Sequence, residues 1–297
     1  MLGLGGEFEY GECASCKCLW QIKPPSDLAR YYPDGYQGSR LGSPSGLRGL
    51  ATRLRNRHAL GEGGILGSML EKRRPNLRMR ALRGLPLSRS SRLLDVGCGD
   101  GAVVEDLRAL GFEQAYGIDP YRINDREGFT RPYLAKKTLD QVDGVWDLIM
   151  FHHSFEHMAD PADVMARVGR LLSSDGACLI RIPIVPCHAW SEYGVNWVQL
   201  DAPRHLFIHS RDSLRNLASG AALRVAHSFC DSGTLQFWGS ERYKAGYPLG
   251  TGPHDAESLP IGTGQLREYA RQAERLNRLG QGDQGVFVLQ HDSNRAS

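Results

Sequence analysis

From Leu93 onward, short apolar runs alternate with stretches of helical periodicity, and glycine- or proline-containing turns separate them. Leu93 and Leu94 end a buried strand. Ala102–Leu110 follows as a helix with Val103, Val104, Leu107 and Leu110 on one face, stopped by Gly111. Tyr116–Asp119 reads as a second strand and Leu134–Leu139 as a short edge strand, across a polar, irregular stretch from Tyr121 to Thr138. Val145–Phe151 is a strong strand. Asp160 then caps a helix with Pro161 at its first position and Val164, Met165, Val168, Leu171 and Leu172 buried. Ser174–Pro183 gives a turn and a fifth strand. Ser210 caps a helix with Leu214, Leu217 and Ala218 inward, and Arg224–Cys230 is a sixth strand. A helix over Gln265–Leu279 precedes the closing strand Gly285–Gln290. Alternating strands and helices predict an α/β sheet with helices on both faces.

The joint at Leu93 carries the first chemical information. Arg92-Leu-Leu-Asp-Val-Gly-Cys-Gly-Asp-Gly-Ala102 is strand, glycine turn and helix start, the first unit of a nucleotide-binding sheet. Gly97, Gly99 and Gly101 let the backbone approach a ligand closely. A pyrophosphate seated on such a turn would be repelled by Asp95 just before the glycines and Asp100 among them. Those carboxylates suit a ligand with cationic groups and no phosphate, and S-adenosylmethionine, with its ammonium and sulfonium, is one. Asp119, at the end of Tyr116-Gly-Ile-Asp-Pro120, is placed to accept both hydroxyls of a ribose.

Through Leu-Asp-Val-Gly-Cys-Gly-Asp-Gly and Gly-Ile-Asp-Pro the chain resembles the class I S-adenosylmethionine-dependent methyltransferases. Trp146 to Pro161, with Glu156, His157, Asp160 and Pro161 in a Glu-His-x-x-Asp-Pro pattern, resembles the fourth strand and following loop of the type 11 and type 23 families. The resemblance covers roughly residues 91–290. It implies a Rossmann-like, doubly wound, seven-stranded and mostly parallel sheet with an antiparallel last strand. It also implies S-adenosylmethionine as cofactor, with Asp95, Gly97, Cys98, Gly99, Gly101, Asp119, Pro120, Leu139 and His152 around it. Thr138 and Asp140 are further candidates for the adenine loop.

A methyl acceptor that is an alcohol must also lose a proton, and histidine is the usual base near neutral pH. His152, His153, His157 and His205 qualify by position. His205 sits in Asp201-Ala-Pro-Arg-His205, a phrase similar to one following the fifth strand in relatives of this family. It is expected over the active site, as general base or as a residue pinning the loop. His153 is expected at the methyl-transfer mouth. Arg204 would hold an anionic acceptor or form a salt bridge to Asp201. Glu156 would orient a histidine or bind an acceptor hydroxyl. Trp190, Tyr193, Trp197, Phe237 and Trp238 would form a ring platform or part of the core.

The N-terminal part changes the picture less. Residues 1–88 are expected to form an irregular extension and 89–291 the methyltransferase domain. Cys13-Ala-Ser-Cys16, with Cys18 close by, is half of a zinc-ribbon pattern and no second CxxC exists in the chain. It is expected to be a vestige, so no metal site is assigned; a half-site completed by Cys18 and a distant His is the alternative. Residues 38–62, rich in Gly, Ser, Pro and Arg, look like a mobile linker, and short helices broken at Pro75 would follow. The chain has 297 residues and a net charge of +3, yet residues 38–92 carry thirteen Lys or Arg against two acids, a local +11. That asymmetry marks an anionic partner or a solvated basic face. The seven cysteines show no paired framework, no apolar run is long enough for a membrane span and no secretory signal is visible, so a cytoplasmic enzyme is expected.

These observations point to methylation of a small molecule or glycan precursor, at oxygen rather than carbon, with nucleic acid disfavoured as a partner. The competing readings are an RNA or protein methyltransferase docking through the basic segment, and a cofactor-binding partner protein without turnover. Missing hydride-transfer groups and the acid before the glycines disfavour an NAD-dependent enzyme. The oligomeric state is left open.

Overall fold

The computed structural model describes residues 6–32, 46–121, 133–249 and 259–292. Two short strands, β1 (Tyr10–Glu12) and β2 (Leu19–Gln21), are followed by α1 (Gly46–Leu60), α2 (Ile65–Arg73) and α3 (Leu77–Ala81). Then come β3 (Leu93–Val96), α4 (Ala102–Ala109), β4 (Ala115–Ile118), β5 (Leu134–Ala135), β6 (Trp146–His152), α5 (Pro161–Leu171) and β7 (Leu172–Val185). The chain continues through α6 (His188–Tyr193), β8 (Phe207–Ser210), α7 (Arg211–Gly220), β9 (Leu223–Cys230), α8 (Leu235–Lys244), α9 (Thr263–Arg278) and β10 (Gln284–His291).

The main sheet runs β5-β4-β3-β6-β7-β10-β9. Its first five strands are parallel, and β10 lies antiparallel between β7 and β9. These seven strands are the doubly wound set that the resemblance implies, and among the described residues they belong to a sheet of ten strands. Side chains of successive strand residues enter opposite layers. Leu94, Ile149 and Phe151 join Met165, Val168 and Leu171 of α5 and Leu214 and Ala218 of α7. Leu93, Leu148 and Met150 join Val103, Val104 and Leu107 of α4 and Met79 of α3. Each such fully buried side chain stabilises the fold by roughly 1.5–3 kcal/mol. The expected caps are present: the Asp160 carboxylate accepts from Asp163 N at 3.1 Å and the Ser210 hydroxyl from Ser213 N at 2.9 Å.

The structure departs from the sequence reading in the N-terminal part. The extension is regular where it is described. The β1–β2 hairpin joins the sheet, with Leu19 opposite Ile208 and Trp20 opposite Phe207 of β8, and β8 runs parallel to the far end of β7 at Ile184 and Val185. The stretch expected as a linker over 38–62 contains the 15-residue helix α1, whereas 33–45 lie outside the described residues. Gly67 of α2 packs α2 on α1: a Cβ on it would lie 2.6 Å from the Leu54 carbonyl oxygen, so the glycine is a close helix–helix contact. Most of the irregular stretch from Tyr121 to Thr138 (122–132) lies outside the described residues. Among the described residues no helix is long and apolar enough to cross a membrane.

A third apolar cluster sits beyond the end of β7. Trp197 is fully buried there with Phe237, Val198 and Ile208, and its indole N–H donates to Asp283 Oδ2 at 3.1 Å. Trp190 packs on Trp197, and the guanidinium of Arg242 lies over Trp238. The aromatics of the long loop and α8 therefore belong to the core, and the platform reading is not supported.

Candidate active site

The strand order reverses beside β3: β4 follows on one side and β6 on the other, so the crevice at their carboxyl ends is where such a sheet takes a ligand. Gly97, Gly99 and Gly101 all have positive φ, at 74°, 54° and 79°. Gly97 and Cys98 donate their N–H groups to Ile118 O, which clamps the turn to β4. A Cβ on Gly97 would lie 2.4 Å from Ser154 Cβ, and Ser154 Oγ donates to Val96 O at 2.5 Å, so the loop after β6 rests directly on the turn. A Cβ on Gly99 would meet nothing within 4 Å, which leaves its backbone open on that side.

Asp119, 7% exposed, ties the two strand ends together. Its Oδ2 accepts from Gly99 N at 3.0 Å and its Oδ1 from Tyr121 N at 2.9 Å. One lone pair on each oxygen is left, enough for two vicinal hydroxyls. Asp95 is 2% exposed and its buried Oδ1 has no partner. Burial pushes its pKa up to about 7, with Asp119 and Asp100 raising it further and Arg78 opposing. The Asp95 Oδ1 lone pairs, buried at the start of the glycine turn, fit an ammonium. A cavity of about 430 Å³ adjoins the turn, lined by Val96, Gly97, Ile118, Pro120, Leu139 and Met158, with Thr138 and Asp140 at its wall. Its largely apolar lining suits a flat heteroaromatic ring. The residues therefore fit S-adenosylmethionine. Cys98 contributes only backbone: its side chain is buried in the core, where a Cβ on Gly117 would lie 2.7 Å from its sulfur.

A cationic ligand needs Asp95 ionised, so affinity for S-adenosylmethionine is expected to fall as the pH drops below about 7. Below that point the loss approaches tenfold for each pH unit. Titration calorimetry at pH 8, 7 and 6 checks this. Asp95→Asn should bind more weakly at pH 8 and lose the dependence.

Across the turn lies a cluster of histidines around Glu156. His205 is 4% exposed; its Nδ1 donates to Gln199 O at 2.7 Å, which leaves Nε2 as the lone-pair nitrogen. That Nε2 lies 3.8 Å from Glu156 Oε1 and 3.7 Å from Asp201 Oδ2. Burial lowers the His205 pKa to about 4, so the ring is neutral at physiological pH. His157 Nδ1 donates to Arg204 O at 2.8 Å, and the two rings meet edge-on at 4.8 Å. Glu156 is fully buried with neither oxygen hydrogen-bonded. Glu156, His157 and His205 each offer one donor atom, and the three atoms lie within 4.8 Å of one another.

The other candidates have partners that narrow their roles. His153 has a positive φ of 56°, and its Nε2 accepts from Arg181 at 2.8 Å, while its Nδ1 faces Glu156 Oε1 at 3.5 Å. Arg181 is itself paired with Asp231 at 2.6 Å. The only lone pair of His153 is thus taken, which disfavours it as general base and leaves it as a support for Glu156. Arg204 is paired with Asp201 at 2.5 Å, the salt-bridge alternative, rather than held ready for an anionic acceptor. His152, at the end of β6, has both ring nitrogens buried without a partner, and burial holds its pKa well below the ordinary value.

Sequence reasoning missed the N-terminal contribution. Tyr10 Oη donates to His205 O at 2.6 Å, and Gln21 N to Leu206 O at 2.9 Å. Tyr32 lies 3.3 Å from His157 Nδ1, stacks on Tyr121 and sits under the Arg204 guanidinium. Tyr-Tyr-Pro at 31–33 is visible in the sequence, but nothing local says which loop it covers. The cysteines show no comparable site. All seven are free, and among the described residues Cys13 and Cys16 join no group of three metal-ligating side chains.

A family model described as "Methyltransferase domain" matches residues 69–228. The ubiquinone biosynthesis O-methyltransferase of Caulobacter sp. (strain K31) is 27% identical over 155 residues, 46% of this chain and 61% of that protein. The protein of the same description from Maricaulis maris (strain MCS10) is 27% identical over 126 residues, 38% of this chain and 49% of that protein. The chain thus spans only about half to three fifths of the length of these relatives. Among solved structures, an S-adenosylmethionine-dependent methyltransferase from Archaeoglobus fulgidus is 19% identical, with a TM-score of 0.45, over 75% of this chain and 97% of that one. Because the family match alone spans more than half of the sequence, the chain belongs to the methyltransferase-domain family.

Proposed function

We propose that the protein methylates a hydroxyl oxygen of a small molecule, with residues 89–291 as the catalytic domain and 1–88 as an extension that covers the acceptor side. Asp95 would hold the ammonium of S-adenosylmethionine, Asp119 the ribose, and Pro120 and Leu139 the adenine, with the glycine turn between them. When bound, the cofactor supplies an electrophilic methyl group on a sulfonium. The task of the protein is then to align the acceptor oxygen, remove its proton and exclude water.

One observation carries this reading. His205 presents an unprotonated Nε2 toward Glu156, which is buried in the loop after β6 that rests on the glycine turn. A lone pair held by a backbone carbonyl on the far nitrogen can take a hydroxyl proton at that place, and a neighbouring carboxylate would stabilise the resulting imidazolium. Oxygen is favoured over carbon by the same lone pair and by the O-methyltransferases among the relatives. Tyr32 and Tyr10 would shield the site from water.

Calorimetric titration with S-adenosylmethionine, S-adenosylhomocysteine and NAD tests the first half. A screen of phenols, catechols and nucleotide sugars, followed by fragmentation of the methylated product, tests the second. Adenosyl-ligand binding and methyl on oxygen are expected. Methyl found on carbon, or transfer only to RNA or protein with steep salt dependence, overturns the reading.

A further inference from the structure

Glu156, His157 and His205 have features of a ligand set rather than of a hydrogen-bonded cluster. Three observations on this chain say so. Glu156 is completely buried and both of its oxygens lack a hydrogen-bond partner. A buried carboxyl group left without a partner is unfavourable, and a bound cation would supply one. Both imidazoles are fastened the same way: His157 Nδ1 by Arg204 O at 2.8 Å and His205 Nδ1 by Gln199 O at 2.7 Å. A backbone carbonyl on Nδ1 fixes the tautomer, leaves Nε2 as a donor and sets the ring plane, which is the usual outer support of a metal-bound histidine. One ligand-capable atom from each of the three residues lies within 4.8 Å of the others, and His205 Nε2 is 3.8 Å from Glu156 Oε1. Bonds of roughly 2.1 Å to a central ion need donors about 3.4 Å apart, a change on the scale of a side-chain rotation.

We infer that Glu156, His157 and His205 form a binding site for one divalent transition-metal ion, a two-histidine, one-carboxylate set with positions open to the acceptor hydroxyl. Two neutral nitrogens and one carboxylate select zinc, manganese or a similar ion over calcium or magnesium, which take all-oxygen sets. The remaining charges nearby are already matched, since Asp201 is paired with Arg204 and Arg181 with Asp231. His153 Nδ1, 3.5 Å from Glu156 Oε1, would steady the carboxylate from the other side. The ion's role, though not its binding, rests on the methyl-transfer reading. An acceptor hydroxyl coordinated there would lose its proton to solvent, the O–H pair staying on oxygen, and His205 would serve as a ligand in place of a base.

The test uses the full chain with Cys13→Ser and Cys16→Ser, so that the thiol pair captures no ion. Protein stripped with a chelator is titrated with zinc, manganese and cobalt chlorides. Stoichiometry is read by elemental analysis and coordination by the cobalt absorption spectrum. One ion per chain is expected, and Glu156→Gln and His205→Gln should each weaken its binding by about 100-fold or more. Affinity for S-adenosylhomocysteine should stay unchanged in both, which also shows that they fold. No stoichiometric ion, or binding that neither substitution weakens, overturns the site. Full methyl transfer by the stripped enzyme overturns the ion's role and leaves methyl transfer standing, whereas loss of adenosyl binding in the parent protein would remove the methyltransferase reading itself.

Discussion

Asp119→Ala is expected to weaken adenosyl-ligand binding by about 100-fold or more, because two functions are lost together. The carboxylate accepts from Gly99 N and Tyr121 N, so it fastens the glycine turn to the end of β4. Its two remaining lone pairs are the ones we propose for the ribose hydroxyls. Hydrogen bonds to a charged group are worth about 1.5–3 kcal/mol each, and one such bond already changes a dissociation constant roughly tenfold or more. Asp119→Asn keeps the shape but turns one acceptor into a donor, so it should fall between the two. Calorimetry with S-adenosylhomocysteine reads both, and circular dichroism confirms the fold. Affinity of Asp119→Ala within about threefold of the parent protein would remove Asp119 from the cofactor site.

His205→Gln is expected to lower turnover by about 10²- to 10⁴-fold while the affinity for S-adenosylmethionine stays the same. The substitution removes the Nε2 lone pair at the acceptor side, and that loss matters whether the nitrogen takes a proton or binds an ion. Glutamine fills most of the ring's volume and can still donate to Gln199 O, so the loop keeps its anchor. The contrast with His153→Gln is the informative one. His153 Nε2 is already occupied by Arg181, so a change there should cost far less in turnover and more in thermal stability. Product formation measured with excess cofactor checks both. Equal losses in the two variants would mean that the cluster acts as a structural unit and not through His205.

Much of the site was legible because its parts are local. The glycine turn needs positive φ at three positions, a constraint glycine meets without strain, and the acid that closes it stands at a fixed strand end. The caps at Asp160 and Ser210 are likewise decided within four residues. Roles that depend on a choice of partner were not legible. Arg204 looked equally able to hold an acceptor or to pair with Asp201, and only its distance to Asp201 decides. His152 and His153 are adjacent in sequence, yet one has two unpartnered nitrogens and the other has a lone pair filled by Arg181. For Trp190, Trp197 and Trp238 the platform and core readings were both open, and packing in the structure favours core, because an aromatic run does not say which side of a loop is covered.

The sequence alone therefore determined the alternation of strands and helices, the helix caps and the glycine turn, while the strand order came from the family resemblance. Apolar periodicity, glycine placement and helix caps act over a few residues, and each leaves its mark at the position where it acts. The tertiary structure alone decided that the N-terminal hairpin closes on β8. It also decided that Tyr10 reaches the backbone of His205 from 195 positions away, and that Glu156 is left buried between two histidines with fixed tautomers. Those contacts join segments that are distant along the chain. They form because packing brings unpaired backbone and side-chain groups within reach of one another, and no local pattern records that.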